Sequence, residues 1–114
     1  MCMPNVKRRS ACPIASTLDI IGDRWTLLVI RDLLRGYSRY NDFLGADEKI
    51  TTNILADRLK KLELEKIISK KPYQQNPVRY EYALTKKGRD LTPLFEEIVT
   101  WATKYKSEVI DGKL

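Results

Sequence analysis

The apolar residues near the start of the chain recur at helical spacing and predict two helices. Gly22 is a plausible end of the first helix, whose apolar positions are Ile14, Ala15, Leu18 and Ile21. A second helix is predicted from about Arg24 to Arg35, closed by Gly36, with Trp25, Leu28, Val29, Leu33 and Leu34 facing inward. Apolar residues on most sides of a helix are typical of one buried at the centre of a small core.

Two further helices are predicted, a short one and a longer one. The short helix fits residues 40–44, with Ser38 as a possible N-cap and Gly45 just after its end. Thr51 is a good N-cap for the longer helix, because its hydroxyl can accept a hydrogen bond from a backbone amide of the first turn. The core stripe of that helix consists of Leu55, Leu59 and Leu62, with Ile54 beside it.

After Lys66 the pattern changes from helical to alternating and predicts a β-hairpin. One strand covers residues 67–71, and in the second the larger side chains alternate along residues 78–84: Val78, Tyr80, Tyr82 and Leu84. Residues 72–77 form a predicted polar loop that is longer than a tight turn.

The C-terminal segment predicts a strongly amphipathic helix after a cap at Thr85. Pro93 cannot donate a backbone hydrogen bond, so this helix starts near Thr92 or kinks there. Its apolar stripe contains Leu91, Leu94, Phe95, Ile98, Trp101, Ala102 and Tyr105.

This order of elements predicts a mainly α fold with a small antiparallel β-hairpin (α+β), the winged helix-turn-helix. We expect a flexible basic arm over residues 1–11, one domain over 12–108 and a short tail over 109–114. In such a fold the longer helix presents its polar face to the major groove of DNA, and the hairpin reaches the neighbouring backbone or minor groove.

The polar face of the longer helix supplies the candidate DNA contacts. Thr52 and Asn53, in its N-terminal half, are the best candidates for base contacts, and an asparagine can pair with adenine through two hydrogen bonds. Lys60 and Lys61 are better placed for phosphates, whereas Arg58 borders the core stripe and can extend to a phosphate or pair with a carboxylate. The full predicted set is Thr51, Thr52, Asn53, Arg58, Lys60, Lys61, Lys70, Lys71 and Arg79. The alternative for each helix residue is an ordinary solvated face.

The net charge of +6 is consistent with a nucleic-acid partner but does not demand one. Residues 36–66, which hold the predicted helix-turn-helix, carry as many acidic as basic side chains. The positive excess therefore lies mainly in the N-terminal arm and the hairpin.

Several functional classes are disfavoured by composition. The chain has no histidine and two cysteines, which removes the commonest general base and the usual zinc ligands, so no enzyme activity, metal or cofactor is expected. The longest apolar stretch is too short to span a bilayer, and no apolar segment follows the basic N-terminus as in a signal peptide. We therefore expect a cytoplasmic protein with thiol cysteines.

Several motifs together resemble the HxlR-type winged-helix regulators over about residues 11–103. They are Cys12-Pro13-Ile14-Ala15, Leu18-Asp19-Ile20-Ile21-Gly22 and Trp25-Thr26-Leu27-Leu28, then Ile50-Thr51 with the run from Leu55 to Leu62, then Pro77 to Gly88, with Pro93 and Trp101. Two departures are visible: Asp23-Arg24 replaces a Gly-Lys-like pair, and Glu65-Lys66 stands where the family usually has an acidic-Gly turn.

The resemblance implies a bacterial or archaeal homodimer that binds a roughly palindromic double-stranded operator. It places the dimer interface on the first and last helices, through Ile14, Leu18, Phe95, Ile98, Trp101 and Tyr105. The last helix does carry more large apolar residues than so small a domain easily covers, although they could all belong to one monomer core. A small-molecule effector is not identified by the sequence.

Cys12 stands where the family has a cysteine that some members use to sense oxidants or electrophiles. A position near a helix N-terminus favours the thiolate, and Lys7, Arg8 and Arg9 add positive charge nearby. Cys2 is a candidate resolving thiol if the arm reaches Cys12. The alternative is a small structural cysteine without a redox role.

The sequence thus predicts a sequence-specific transcriptional regulator, a repressor or a dual regulator. The alternative is a winged-helix module that binds another protein through the same helix and hairpin. Adjacent carboxylates such as Glu96 and Glu97 point in different directions on a helix and do not form an acid/base pair.

Overall fold

The protein, seen in a computed structural model, is described for residues 11–112. The helices are α1 (Pro13–Ile21), α2 (Arg24–Leu34), α3 (Tyr40–Leu44), α4 (Thr52–Leu64), α5 (Lys86–Arg89), α6 (Thr92–Lys104) and α7 (Lys106–Val109). The strands are β1 (Ile68–Gln74) and β2 (Arg79–Leu84), which pair antiparallel. The predicted arm lies outside the described residues except for Ala11. The mainly α fold with one hairpin is confirmed.

The hydrophobic core is built where α2 and α4 meet the base of the hairpin. The buried residues of α4 are the predicted leucines Leu55, Leu59 and Leu62, and Ile54 packs beside them half-buried. The other elements add Ile21, Val29, Ile30, Leu33, Phe43, Ile50, Ile67 and Ile68. Two polar side chains of α2, Thr26 and Asp32, are also buried. This core fixes α4 and leaves its opposite face exposed.

The hairpin, which we call the wing (residues 68–84), is longer than the sequence predicted. Pro72, Tyr73 and Gln74 belong to β1, so the predicted loop over residues 72–77 is wrong for its first three positions. Pro72 pairs with Tyr80 and Gln74 with Arg79, which leaves Tyr73 as an extra residue in a bulge. A bulge in a two-stranded hairpin tolerates a proline, which explains why Pro72 did not end the strand.

The segment before α3 pairs with the wing, and this changes how α3 begins. The Tyr82 amide donates to the Ser38 carbonyl oxygen at 2.7 Å, and Arg39 forms an isolated antiparallel bridge with Glu81. The N-cap of α3 is Arg39 rather than the predicted Ser38. The Asp42 carboxylate accepts hydrogen bonds from the amides of both Ser38 and Arg39, at 3.2 and 3.1 Å.

The C-terminal part is divided into three helices rather than one. Thr85 caps α5 by accepting a hydrogen bond from the Gly88 amide, and α6 begins at Thr92 as the position of Pro93 allows. Leu91 therefore precedes α6, and Tyr105, predicted inside the long helix, lies after its end with φ −114° and ψ 41°. Among the described side chains from Thr92 to Lys104 none is buried.

Candidate nucleic-acid interface

The N-terminal end of α4 presents a row of exposed polar side chains. The Thr51 hydroxyl accepts a hydrogen bond from the Ile54 amide at 3.4 Å, which confirms the predicted cap. Thr51, Thr52 and Asn53 are exposed, and Tyr40 of α3 donates its hydroxyl to the Thr52 carbonyl oxygen at 3.0 Å. The capped first turn is thereby attached to α3 while its side chains remain open to a ligand.

The remainder of the predicted face of α4 is also exposed. Ala56, Asp57 and Lys60 are exposed and Lys61 is half-buried, while Leu55, Leu59 and Leu62 are buried on the other side. The orientation predicted from the leucine stripe therefore agrees with the structure.

Arg58 pairs with carboxylates instead of extending from α4. Its Nε donates to Asp23 Oδ2 at 2.9 Å, and its Nη1 donates to the neighbouring Asp57. Of the two roles that the sequence left open for Arg58, the structure shows the carboxylate pair. Because Asp23 lies between α1 and α2, this pair joins the outer side of α4 to that junction.

Asp23 is the N-cap of α2 as well as the partner of Arg58. Its carboxylate accepts hydrogen bonds from the amides of Trp25 and Thr26, at 2.7 and 3.1 Å, and from the Thr26 hydroxyl at 2.6 Å. Burial by itself would raise the pKa of Asp23, but these hydrogen bonds and the Arg58 charge outweigh it and hold the pKa below its usual value. The carboxylate is therefore ionised in the folded protein near neutral pH.

The loop leading into α4 is held by a second arginine. Arg31 donates two hydrogen bonds to the Glu48 carboxylate, at 2.8 and 2.7 Å, and two to the buried Asp32. The hydrogen bonds from Arg31 lower the pKa of Glu48 to about 2. Next to Glu48, Lys49 adopts a φ of 60°, an unusual conformation for a residue other than glycine. Arg31 thus fixes the turn that sets the start of α4.

The predicted basic residues of the wing are exposed, and two of them have acidic neighbours. Lys70 Nζ lies 3.7 Å from Glu63 Oε1 and 4.5 Å from the centre of the Tyr80 ring. Lys71 Nζ lies 3.6 Å from Glu81 Oε1, and Arg79 stands at the start of β2. The wing therefore presents three cations on the same hairpin that carries the exposed tyrosine Tyr73.

A groove of about 520 Å³ lies between α3 and the wing, and sequence analysis did not identify it. The Arg39 guanidinium lies over the Tyr73 ring, 3.8 Å from its centre, and Arg79 lines the same groove. The missed signal was the bulge, because an alternating pattern interrupted by Pro72 does not show which way Tyr73 points.

The residues assigned to a dimer interface divide into two groups. Ile14, Leu18, Ile98, Trp101 and Tyr105 are exposed, between 41% and 60% of their side chains being accessible. Phe95 is half-buried and packs against the core cluster, so in this chain it is partly a core residue. An open, mostly apolar cleft of about 650 Å³ separates α6 from α2 and is lined by Leu27, Leu28, Leu34, Phe95, Ile98 and Val99, among others.

Cys12 is the N-cap residue of α1 and is half-buried, with its carbonyl oxygen accepting a hydrogen bond from the Ser16 amide at 2.9 Å. The predicted resolving thiol Cys2 and the basic residues Lys7, Arg8 and Arg9 lie outside the described residues. Within residues 11–112, no group of three or more His, Cys, Asp or Glu side chains is placed to hold a metal ion. No helix in the same range is long and apolar enough to cross a membrane.

Comparison with known proteins found a matching family and similar regulators. Residues 20–110 match the model of the HxlR-like helix-turn-helix family. The uncharacterized HTH-type transcriptional regulator YdeP of Bacillus subtilis strain 168 is 38% identical over 98 residues, which cover 86% of this chain and 77% of that protein.

Two solved structures of regulators are also similar. The oxidized form of the redox regulator HypR superposes with a TM-score of 0.73 at 33% identity, covering 82% of this chain and 96% of that one. The reduced form of the transcriptional regulator YodB from B. subtilis gives a TM-score of 0.70 at 34% identity, covering 82% of this chain and 93% of that one.

Proposed function

The chain belongs to the HxlR-like helix-turn-helix family of transcriptional regulators, and from this we propose that two copies bind a palindromic operator in the cytoplasm and regulate transcription there. DNA is its partner, and it is a regulator rather than an enzyme. The observation that carries the proposal is the capped start of α4, where Thr51, Thr52 and Asn53 are exposed next to a basic wing. We call α4 the recognition helix from here on.

The proposed contacts divide into base contacts and phosphate contacts. Thr52 and Asn53 lie in the first turn of the recognition helix, the part that helix-turn-helix proteins direct at base edges. Phosphate contacts fix the orientation of the protein on DNA but do not specify sequence. The side chains that make them are Lys60, Lys61 and the wing cations Lys70, Lys71 and Arg79. Arg58 is not included, because Asp23 and Asp57 already hold its guanidinium.

A gel-shift series tests this division, using a duplex that the wild-type protein selects from a random pool. We expect Asn53→Ala to relax the preference at one base position of each half-site, by about 5- to 150-fold in discrimination, the range of one bidentate base contact. We expect Lys60→Ala to weaken binding to all sequences alike and to reduce the slope of log affinity against log salt by about 0.9 per protomer.

Lys106→Ala on α7 serves as the matched control, since it removes an exposed cation far along the chain from the recognition helix. It should leave both the preference and the salt slope unchanged. If Lys60→Ala alters base preference and Asn53→Ala changes only the salt slope, a different face of the helix contacts the bases and the assignment is wrong. If the wild-type protein shows no salt-dependent binding to any DNA in the pool, the proposal is wrong.

Dimer formation through α1 and α6 is the second part of the proposal. Exposed apolar side chains on both helices support it, because such a surface is typical of an interface. They are Ile14 and Leu18 on α1, Ile98 and Trp101 on α6, and Tyr105 just after α6. Phe95 contributes from a half-buried position. Two recognition helices related by a two-fold axis would then match a palindromic site.

A redox response through Cys12 is favoured by its place at the N-cap of α1, one of the proposed dimer helices. The positive end of the helix dipole stabilises a thiolate there, and the similarity to the redox regulator HypR supports the same role. Oxidation to an intersubunit or mixed disulfide would change the geometry of α1 and thereby the DNA-binding state.

The redox role is tested by alkylation kinetics and by gel shift after treatment with diamide. We expect Cys12 to react faster than free cysteine near neutral pH, and Cys12→Ser to bind DNA normally but to lose the response to diamide. Loss of the diamide response in Cys2→Ser as well would indicate that Cys2 is the resolving thiol. A Cys12 no more reactive than free cysteine, with the diamide response intact in Cys12→Ser, would show that the thiol is structural.

A further inference from the structure

We propose that the groove between α3 and the wing binds one strand of the DNA backbone, with the Arg39 guanidinium, held over the Tyr73 ring, as its phosphate-binding group. This inference rests on the proposed DNA-binding function and adds to it a contact outside the recognition helix and the wing lysines. It assigns a role to two residues, Arg39 and Tyr73, that neither charge patterning nor the helical period identified.

The bulge in the wing places the Tyr73 ring against Arg39. Tyr73 is the extra residue of the bulge between Pro72 and Gln74. A bulge redirects the side chain of the inserted residue and increases the local twist of the strand. The Tyr73 ring consequently lies 3.8 Å below the Arg39 guanidinium, at the range of a close cation–π contact.

The backbone of Arg39 is fixed as firmly as its side chain. Its bridge to Glu81 and the hydrogen bond from the Tyr82 amide to Ser38 hold this segment against β2. The Asp42 carboxylate accepts the Arg39 amide at 3.1 Å. An arginine whose backbone is held in place and whose guanidinium lies against a ring loses little conformational entropy when it binds a further group.

The chemistry of Arg39 suits a phosphodiester. Stacking uses the face of the guanidinium and leaves its N–H edge for acceptors in the same plane, the geometry that allows two parallel hydrogen bonds to phosphate. About half of the side chain is exposed, and Glu81 Oε2 lies 3.8 Å from its Nε. That separation is beyond a hydrogen bond, and Glu81 is also shared with Lys71.

The position of the groove also matches a backbone strand rather than a separate ligand. Tyr40 lines the groove and donates its hydroxyl to Thr52, so the groove adjoins the first turn of the recognition helix. With the recognition helix in the major groove, as proposed, this space lies between that helix and the wing, where the DNA backbone would pass. The cation Arg79 also lines the groove. The Asp42 carboxylate there accepts two backbone amides, and Glu81, beside the groove, lies 3.6 Å from Lys71 Nζ.

The experiment compares variants of Arg39 and Tyr73 on the duplex selected by the wild-type protein. We expect Arg39→Ala to weaken binding about tenfold and to reduce the salt slope by about 0.9 per protomer, without changing base preference. Arg39→Lys should keep the salt slope but bind more weakly than wild type. Tyr73→Leu should also keep the slope and lose affinity, whereas Tyr73→Phe, which retains the ring, should bind as wild type does.

A second measurement locates the contact from the side of the DNA. Single phosphates of the duplex are replaced one at a time by uncharged methylphosphonates and tested with wild-type protein and with Arg39→Lys. One phosphate in each half-site should weaken wild-type binding when neutralised and should have a smaller effect in Arg39→Lys. If every neutralised phosphate has the same effect on both proteins, and Tyr73→Leu binds like wild type, the inference is wrong while DNA binding itself stands. If wild-type protein does not bind the duplex at all, the proposed function fails first.

Discussion

Two arginines secure the recognition helix, one before its first turn and one at its middle, and both hold carboxylates. Arg31 fixes Glu48 in the turn before the helix, and Arg58, in the middle of the helix, holds Asp23 at the α1–α2 junction. Asp23 has two roles, since it also caps α2 through the amides of Trp25 and Thr26. The two roles can be separated by substitution.

We predict that Asp23→Asn lowers the free energy of unfolding by less than about 1 kcal/mol, because it keeps a good N-cap and loses only a partly exposed ion pair. Asp23→Ala, which removes the cap as well, should cost about 1 kcal/mol more. Urea denaturation at neutral pH measures both values. Equal stability of Asp23→Ala and wild type would contradict the role of the cap.

The difference between wild type and Asp23→Asn should depend on pH. The pKa of Asp23 is lowered in the folded protein, so the stability it contributes is present above the unfolded pKa of about 3.9 and is lost as pH falls through the lower folded value. The difference in stability between the two proteins should therefore shrink as pH falls below the unfolded pKa and disappear below the lower folded pKa. A difference that grows towards acid pH would mean that the carboxylate is not stabilised in its ionised form.

At the scale of elements, the junction between the wing and α6 depends on one glycine. Gly88 is buried in α5, and a Cβ atom there would lie 2.3 Å from the Ile67 carbonyl oxygen and 2.8 Å from Leu84 Cδ2. The first of these contacts is with the backbone and cannot be relieved by a side-chain rotation. Gly45, after α3, is a natural comparison because its nearest contact would be 3.4 Å.

We predict that Gly88→Ala lowers the free energy of unfolding by about 1 to 3 kcal/mol, the usual cost of forcing a methyl group into a packed site. Gly45→Ala should change it by no more than about 0.5 kcal/mol, since the contact is ordinary and φ is negative. Thermal or urea denaturation checks both. Equal effects of the two substitutions would show that the close approach of the Ile67 carbonyl oxygen does not determine the cost.

Local patterns in the sequence are sufficient to predict most of the helices and strands. The spacing of Leu55, Leu59 and Leu62, the cap at Thr51 and the position of Pro93 each depend on neighbours within a few residues, and each prediction is confirmed. The predicted cap at Ser38 was wrong because a distant strand engages the Ser38 carbonyl oxygen.

The missed parts of the site have the same cause as the error at Ser38. Arg58 and Asp23 are 35 residues apart, and Arg39 meets Tyr73 only through the bulge. No helical or alternating period contains such pairings, since they depend on how the finished elements pack. The helical period therefore predicts which face of the recognition helix is exposed but not the groove beside it.

At the scale of the whole molecule, α6 is poorly covered by the rest of the described chain, since none of its side chains is buried. The radius of gyration is 16.0 Å, whereas a compact domain of this length has about 13 Å. The large side chains Ile98, Val99 and Trp101 are each more than 40% exposed. This extended form agrees with the proposal that a second copy packs on α1 and α6.

We predict that Ile98→Glu and Trp101→Glu weaken self-association about thirtyfold or more, as expected for apolar anchors of an interface. Analytical ultracentrifugation over a range of concentrations measures the change. Leu64→Glu is the matched control, because Leu64 is 73% exposed on the recognition helix, outside the proposed interface. A wild-type protein that sediments as a monomer, or α6 variants that associate as well as Leu64→Glu, would rule out this interface.

The exposure of α6 has a consequence for the lifetime of the protein in the cell. If a second copy completes the fold, resistance to unfolding and to proteolysis rises with the amount of protein present, by mass action. A scarce regulator would be degraded faster than an abundant one, because more of its chains would be single copies with α6 uncovered. Degradation of single copies would then make promoter occupancy change more steeply with the amount of regulator, without any further ligand.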